Sequence, residues 1–308
     1  MLRFFLLKQP NQGGTALFMM GYTGVGSGLV SSTEKYDFAS EAKSSGTTIT
    51  SPVFNYGLTS NRQHAFMAGG YDWVSNKSTV RKYKYSDDVV SSSASLVNTA
   101  RRGLVGFSST SSAFFAGGFV STAGTNVVDG LLYSNETMSS KTSLSHIRLG
   151  GGAFTDDTGG YFSGGVDTTT VTARNDKYSF SGDSWSTASA LLSPREMQAV
   201  CGSISHGYNF SGRNSTPLVA TTEKYALATQ IVSGATSLAT ARGDSTCSGN
   251  AIKAIITGGS TTAPPTNTAT TSCEIYYFNN NSIATGSSLT TARMVHGFGS
   301  ASSSSAYL

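Results

Sequence analysis

Several kinds of residue in this 308-residue chain could carry chemistry, and their spacing decides how far each one goes. Double glycines recur at Gly69–Gly70, Gly117–Gly118, Gly164–Gly165 and Gly258–Gly259. Glycine turns can cradle phosphate, but that use needs GxGxxG or GxxxxGK[ST] opening a helix, and neither pattern precedes one here. His64, His146, His206 and His296 stand apart in sequence, whereas a metal site needs several converging ligands. Cys201, Cys247 and Cys273 have no CxxC spacing, and three cysteines cannot form a closed disulfide set. They read as small buried hydrophobes. No serine lies in GxSxG. What remains is a set of loop residues downstream of the glycine landmarks: Tyr22, Tyr71, Asp72, Trp73, Phe119, Asp167, Arg213 and Asn214. Such residues can stack on a sugar ring or anchor a protein partner. The expectation is therefore binding: no catalytic residue, no metal and no cofactor is assigned, and the chain is read as not an enzyme.

Those loops need a scaffold, and composition indicates its kind. Hydrophobic residues make up 38%, enough for a core, while charged residues make up only 12%, about half the globular average. The polar surface must therefore be Ser, Thr, Asn and Gly, which favours turn-rich β-structure over helices. The net charge of +4 comes from scattered basic residues, which argues against a nucleic-acid partner. No segment approaches the roughly 20 apolar residues of a membrane span.

An internal repeat sets the unit size. "ALFMMG" (16–21), "AFMAGG" (65–70), "AFFAGG" (113–118), "GYFSGG" (160–165), "GYNFSG" (207–212) and "AIITGG" (254–259) follow one another at intervals of 49, 48, 47, 47 and 47 residues. Downstream of each comes an alternating apolar strand, such as "TEKYDF" (33–38) or "NDKYSF" (175–180). Seven residues beyond its first large apolar residue lies Val90, Met138, Trp185, Val232 or Ile283, with Lys43 the exception; these mark an outer strand. About 16 residues before each glycine pair stands Arg101, Arg148, Arg195 or Arg242, with Arg293 continuing the series. Small and apolar residues follow these arginines, as an inner strand requires. Each unit thus holds four short strands, and radial packing of six such sheets predicts an all-β, six-bladed β-propeller.

The arginines have acidic counterparts: Asp129, Asp176, Glu223, Glu274 and Glu34. In the second unit the two positions are Val53 and Arg81, so arginine and acid are lost together. The pattern predicts one Arg–acid pair per blade: Arg101–Asp129, Arg148–Asp176, Arg195–Glu223, Arg242–Glu274 and, across the ring closure, Arg293–Glu34. Residues 293–303 are expected to complete the first blade as its closing strand. Residues 1–12 read as an apolar arm beside a single propeller of residues 13–308. The ending "SSSSAYL" resembles the start of another strand, as in one part of a longer polypeptide.

The double glycine, the downstream Tyr and the Trp in "KYSFSGDSW" (178–185) resemble the kelch repeat, although only Trp185 keeps the kelch tryptophan position. The Ser/Thr-rich blades look more like the degenerate kelch-like propellers of tailed-bacteriophage virion and tail-fibre proteins. That resemblance implies a virion or extracellular surface location and a structural or host-attachment role. The partners it implies are other virion or surface-assembly proteins, engaged through residues 1–12, and a cell-surface glycan, within an oligomeric assembly. Two other readings remain open: a secreted carbohydrate-active or copper-dependent oxidase, and a bacterial surface adhesin or filament subunit.

Overall fold

A computed structural model of the chain describes residues 14–24, 28–96, 98–264, 266–294 and the backbone of 297–299. The apolar arm and the "SSSSAYL" ending lie outside the described residues. Among the described residues there is no helix, and the strands form a six-bladed β-propeller. Blades three to six are four-stranded antiparallel sheets read outward from the axis, and the second blade has the same four strands with Gly297–Gly299 added at its inner edge. The third blade shows the plan: Val105–Ser108, Ser112–Ala116, Val128–Leu132 and Thr137–Lys141, joined in that order.

Register follows from which side chains need burial. The apolar residue of each outer strand lies directly across from a third-strand residue, as in Tyr83–Val90, Leu131–Met138, Tyr178–Trp185, Tyr225–Val232 and Tyr276–Ile283. Directly opposed apolar pairs are the unit of sheet stabilisation. Lys43 faces Tyr36 in the first blade, and its ammonium reaches Glu34 at 3.2 Å. The inner strands are almost wholly buried, and aromatic rings pack between neighbouring blades, as Phe107 and Phe114 do against Tyr178.

The double glycine is explained where blades meet. Gly118 donates its amide to the Arg148 carbonyl of the next blade at 2.8 Å, and Gly70, Gly165, Gly212 and Gly259 repeat this contact with Arg101, Arg195, Arg242 and Arg293. Gly117 sits at φ 66, where a Cβ would lie 2.2 Å from that same Arg148 oxygen. Only a residue without a side chain fits there unstrained.

The five repeated arginines are fully buried or nearly so. Arg101 Nη1 lies 2.7 Å from Asp129 Oδ2, Arg148 Nη1 2.7 Å from Asp176 Oδ2, and Arg293 Nη2 2.7 Å from Glu34 Oε1. Arg195 contacts Glu223 and Arg242 contacts Glu274 in the same way. The guanidinium also bonds its own blade's carbonyls: Arg101 Nε donates to Gly117 O at 2.8 Å and Nη2 to Phe115 O at 3.0 Å. Side chain and carbonyl of one arginine therefore tie together its own blade and the preceding one. Burial lowers the Arg148 pKa to about 10, with Asp176 opposing the shift.

Ring closure is by the C-terminal segment, but its strand pairs differently from the sequence expectation. Arg293 donates to the Phe18 and Ser32 carbonyls, and Met294 bridges Tyr22, so both join the first blade. The strand Gly297–Gly299 instead runs parallel to Tyr56–Leu58 of the second blade. It also lies close to the inner strands of blades three to six. The first sheet keeps three strands of its own: Thr15–Met19, Thr33–Asp37 and Lys43–Gly46. Two glycines in three residues let a backbone enter the axis where inner strands converge, and there the second blade's edge is the available ladder.

Candidate recognition cleft on the loop face

The residue after each glycine landmark bridges the residue after each repeated arginine, or after Val53 in the second blade. The rungs are Tyr22–Met294, Phe54–Tyr71, Arg102–Phe119, Leu149–Val166, Glu196–Arg213 and Gly243–Ser260. Inside them runs a chain of backbone bonds: Gly103 donates to Asn55, Gly150 to Gly103, Met197 to Gly150 and Asp244 to Met197, at 2.6–2.9 Å. The rungs are equivalent in position and unequal in chemistry. Blades one to three supply aromatics, whereas blades four to six supply aliphatic, small and charged residues.

The aromatic arc is continuous. Tyr22 packs on Phe54 with ring centroids 4.7 Å apart and on Trp73 at 5.3 Å, and Phe54 meets Trp73 at 4.6 Å and Tyr71 at 5.6 Å. Tyr22 and Phe54 are buried members of the core, while Trp73 is 39% exposed. Trp73 has φ 72, a conformation costly for a bulky residue and characteristic of functional loops. Its carbonyl accepts the Tyr71 hydroxyl at 3.2 Å. Asp72 fixes the turn: Oδ1 accepts the Val74 and Ser75 amides, and Oδ2 lies 2.5 Å from Lys77 Nζ. Burial pushes Asp72 up, but Lys77 and these amides outweigh it and hold its carboxyl below the usual range.

Between blades two and three this loop borders a cleft of about 630 Å³, lined by Tyr71, Val74, Asn76, Arg102, Val120 and Ser121 among others. The Arg102 guanidinium lies 4.5 Å from the Tyr71 ring centroid and 5.0 Å from that of Phe119. Asn76 locks the two blades together, donating to Phe119 O at 3.1 Å and accepting from Arg102 Nη1 at 3.2 Å. Trp73 belongs to the same loop, between Tyr71 and Val74 of the cleft lining.

The remaining loop residues serve other ends. Arg213 pairs with Glu196 at 3.1 Å and with Asp244 at 3.4 Å. Asp244 is fully buried, and burial raises its pKa to about 6 against the pull of Arg213. Burial pushes the Tyr22 hydroxyl up to about 12, with Asp244 adding to the shift and Arg213 opposing it, so Tyr22 senses this network. Asp167 begins the small hairpin Val166–Asp167 and Thr170–Val171 in blade four, and Asn214 sits on an exposed turn closed by its amide to Pro217 O. Neither contacts the aromatic arc. Tyr22, Tyr71, Trp73 and Phe119 thus belong together, Asp72 shapes their loop, and Asp167 and Asn214 lie elsewhere.

Phe54, Asn76, Arg102, Glu196 and Asp244 complete the picture and escape a reading of the loops alone. The available signal was the position after each repeated arginine, which is the other half of each rung. Among the described residues, no group of three His, Cys, Asp or Glu side chains is placed to share a metal ion. The His296 side chain lies outside the described residues.

The architecture defines the chain as a β-propeller. It is similar to the solved structure titled "Structure of YjhT", with a TM-score of 0.72 over 91% of this chain and 98% of that one. Sequence identity is 13%, so the likeness concerns the fold. No protein-family model matches the chain, and no curated protein matches it by sequence.

Proposed function

We propose that this chain is a non-enzymatic, kelch-like recognition propeller that serves as a structural and host-attachment part of a virion tail or fibre and binds a surface glycan. The fold supports a binding or structural role. The glycan reading is carried by one observation: the exposed Trp73, held at positive φ, lies in the loop whose Tyr71 and Val74 line a cleft together with Arg102. Flat aromatic faces beside hydroxyl and amide groups suit a sugar, whose ring has apolar faces and a polar edge. The repeated glycine, tyrosine and arginine landmarks support the kelch-like assignment, and the Ser/Thr-rich, charge-poor surface suits an extracellular particle. Docking to neighbouring virion proteins is assigned to residues 1–12, through strand addition.

Binding of the purified protein to immobilised host-envelope polysaccharide tests the reading. Trp73→Ala is expected to weaken binding about tenfold or more. Ile204→Ser, at an exposed site away from the cleft, should leave it unchanged. Stoichiometric copper or saccharide turnover in the purified protein would overturn the reading in favour of an oxidase or other carbohydrate-active enzyme. Assembly that survives deletion of residues 1–12 would remove the docking role of that arm.

A further inference from the structure

Two arginines stand on the loop-face rungs, and their surroundings differ. Arg213 is neutralised inside the protein by Glu196 and Asp244. Arg102 has no carboxylate within ion-pair distance among the described residues; its one side-chain hydrogen bond runs from Nη1 to Asn76 Oδ1. The N–H groups it leaves unbonded are not fully buried, and its side chain lines the cleft. The acid of the Trp73 loop, Asp72, is taken up by Lys77 and its own turn. Around Arg102 the cleft presents Ser75, Asn76, Thr99 and Ser121, and among the described residues no acidic side chain lines it.

The guanidinium is nevertheless held in place. The Tyr71 and Phe119 rings lie 4.5 and 5.0 Å from it, which limits its freedom, and apart from the Nη1–Asn76 bond its planar N–H edge has no partner among the described residues. Such an edge matches a carboxylate in two parallel hydrogen bonds. Ordering the side chain in advance removes part of the entropic cost of binding. We propose that the cleft between blades two and three takes an acidic saccharide, whose carboxylate pairs with Arg102 while its hydroxyls meet Ser75, Asn76, Thr99 and Ser121. The inference rests on the reading of this cleft as a saccharide site and adds the charge of the ligand.

An array printed with carboxylate-bearing oligosaccharides, each beside its methyl ester, tests the proposal on the full chain. At least one acid should outbind its ester by about tenfold, with the gap narrowing as salt rises. Arg102→Gln should abolish that preference, and Arg102→Lys should retain part of it, because lysine keeps the charge and loses the fork. Equal binding of acid and ester, or a preference that survives in Arg102→Gln, overturns the proposal. If neutral or esterified saccharides bind without an acid preference, only the charge assignment fails. If no saccharide binds, the cleft reading fails with it. The acid–ester comparison on the unaltered chain needs no variant, and thermal unfolding shows whether Arg102→Gln folds.

Discussion

A buried arginine holds each of five blades to its acid, and the second blade shows what happens without one. Val53 replaces the arginine there, and Arg81, at the position of the acid, turns to the Ser51 carbonyl at 3.0 Å. Removing one partner strands a buried charge, whereas removing both need not. Asp129→Ala is therefore expected to destabilise the protein by about 3–5 kcal/mol. The double change Arg101→Met with Asp129→Leu should cost clearly less, as read by chemical denaturation. A double variant at least as damaged as the single one would show that the pair contributes more than charge compensation. At Asp244 the sign of the pH effect is opposite to that of an ordinary ion-paired carboxylate. Its folded-state pKa of about 6 lies above the unfolded value. Between roughly pH 4 and pH 6 the unfolded chain thus binds fewer protons, and this residue's contribution to stability falls as pH rises. The stability difference between the natural chain and Asp244→Asn should decline across that window, and a flat difference would contradict the assignment. The arginine landmarks were legible in the sequence because they repeat. Arg102 was not, because its meaning depends on what the equivalent residues of other blades are.

At the scale of the strand, the double glycine and the closing segment do the joining. Gly117→Ala must place a Cβ 2.2 Å from the Arg148 carbonyl oxygen, at φ 66. That oxygen belongs to the neighbouring blade's backbone and already accepts the Gly118 amide. A loss of at least about 2 kcal/mol in chemical denaturation is expected, and a neutral outcome would mean the blades can part at this point without cost. The first blade depends on Arg293 and Glu34 across the whole length of the chain. Burial pushes the Glu34 pKa up, but the Thr290 amide, Arg293 and Lys43 outweigh it and hold the carboxyl below its ordinary range. Arg293→Ala should release Thr15–Met19 and Thr33–Asp37 first, as faster amide exchange there than in blades three to five. Uniform exchange across all blades would refute a weakened closure. The strand pattern was readable because alternation and a fixed repeat both constrain register. The partner of Gly297–Gly299 was not, since small residues suit either neighbouring edge and carry no register signal.

At the scale of the whole molecule, six equivalent rungs surround one axis, and asymmetry in side chains assigns them different tasks. Aromatics cluster over blades one to three, and a closed ion network occupies blades five and six. The opposite ends of the blades carry clefts of their own. One of about 440 Å³ lies by Asn61, Arg62, Thr110 and Tyr133, and one of about 530 Å³ by Ser109, Lys141, Asp157 and Phe180. Their walls come in part from the tight inner hairpins, whose sequences read as turn chemistry alone. Loop length and aromatic content made the loop face visible in the sequence, while the grouping of Tyr22 with Trp73 required the ring to be closed. Amide-exchange footprinting with bound surface polysaccharide tests the proposed recognition face most directly. Protection should appear at residues 71–77, 99–102 and 119–121 and be absent from 60–63 and 109–112. Protection confined to those latter hairpins, with the Trp73 loop unchanged, would contradict recognition through the loop face.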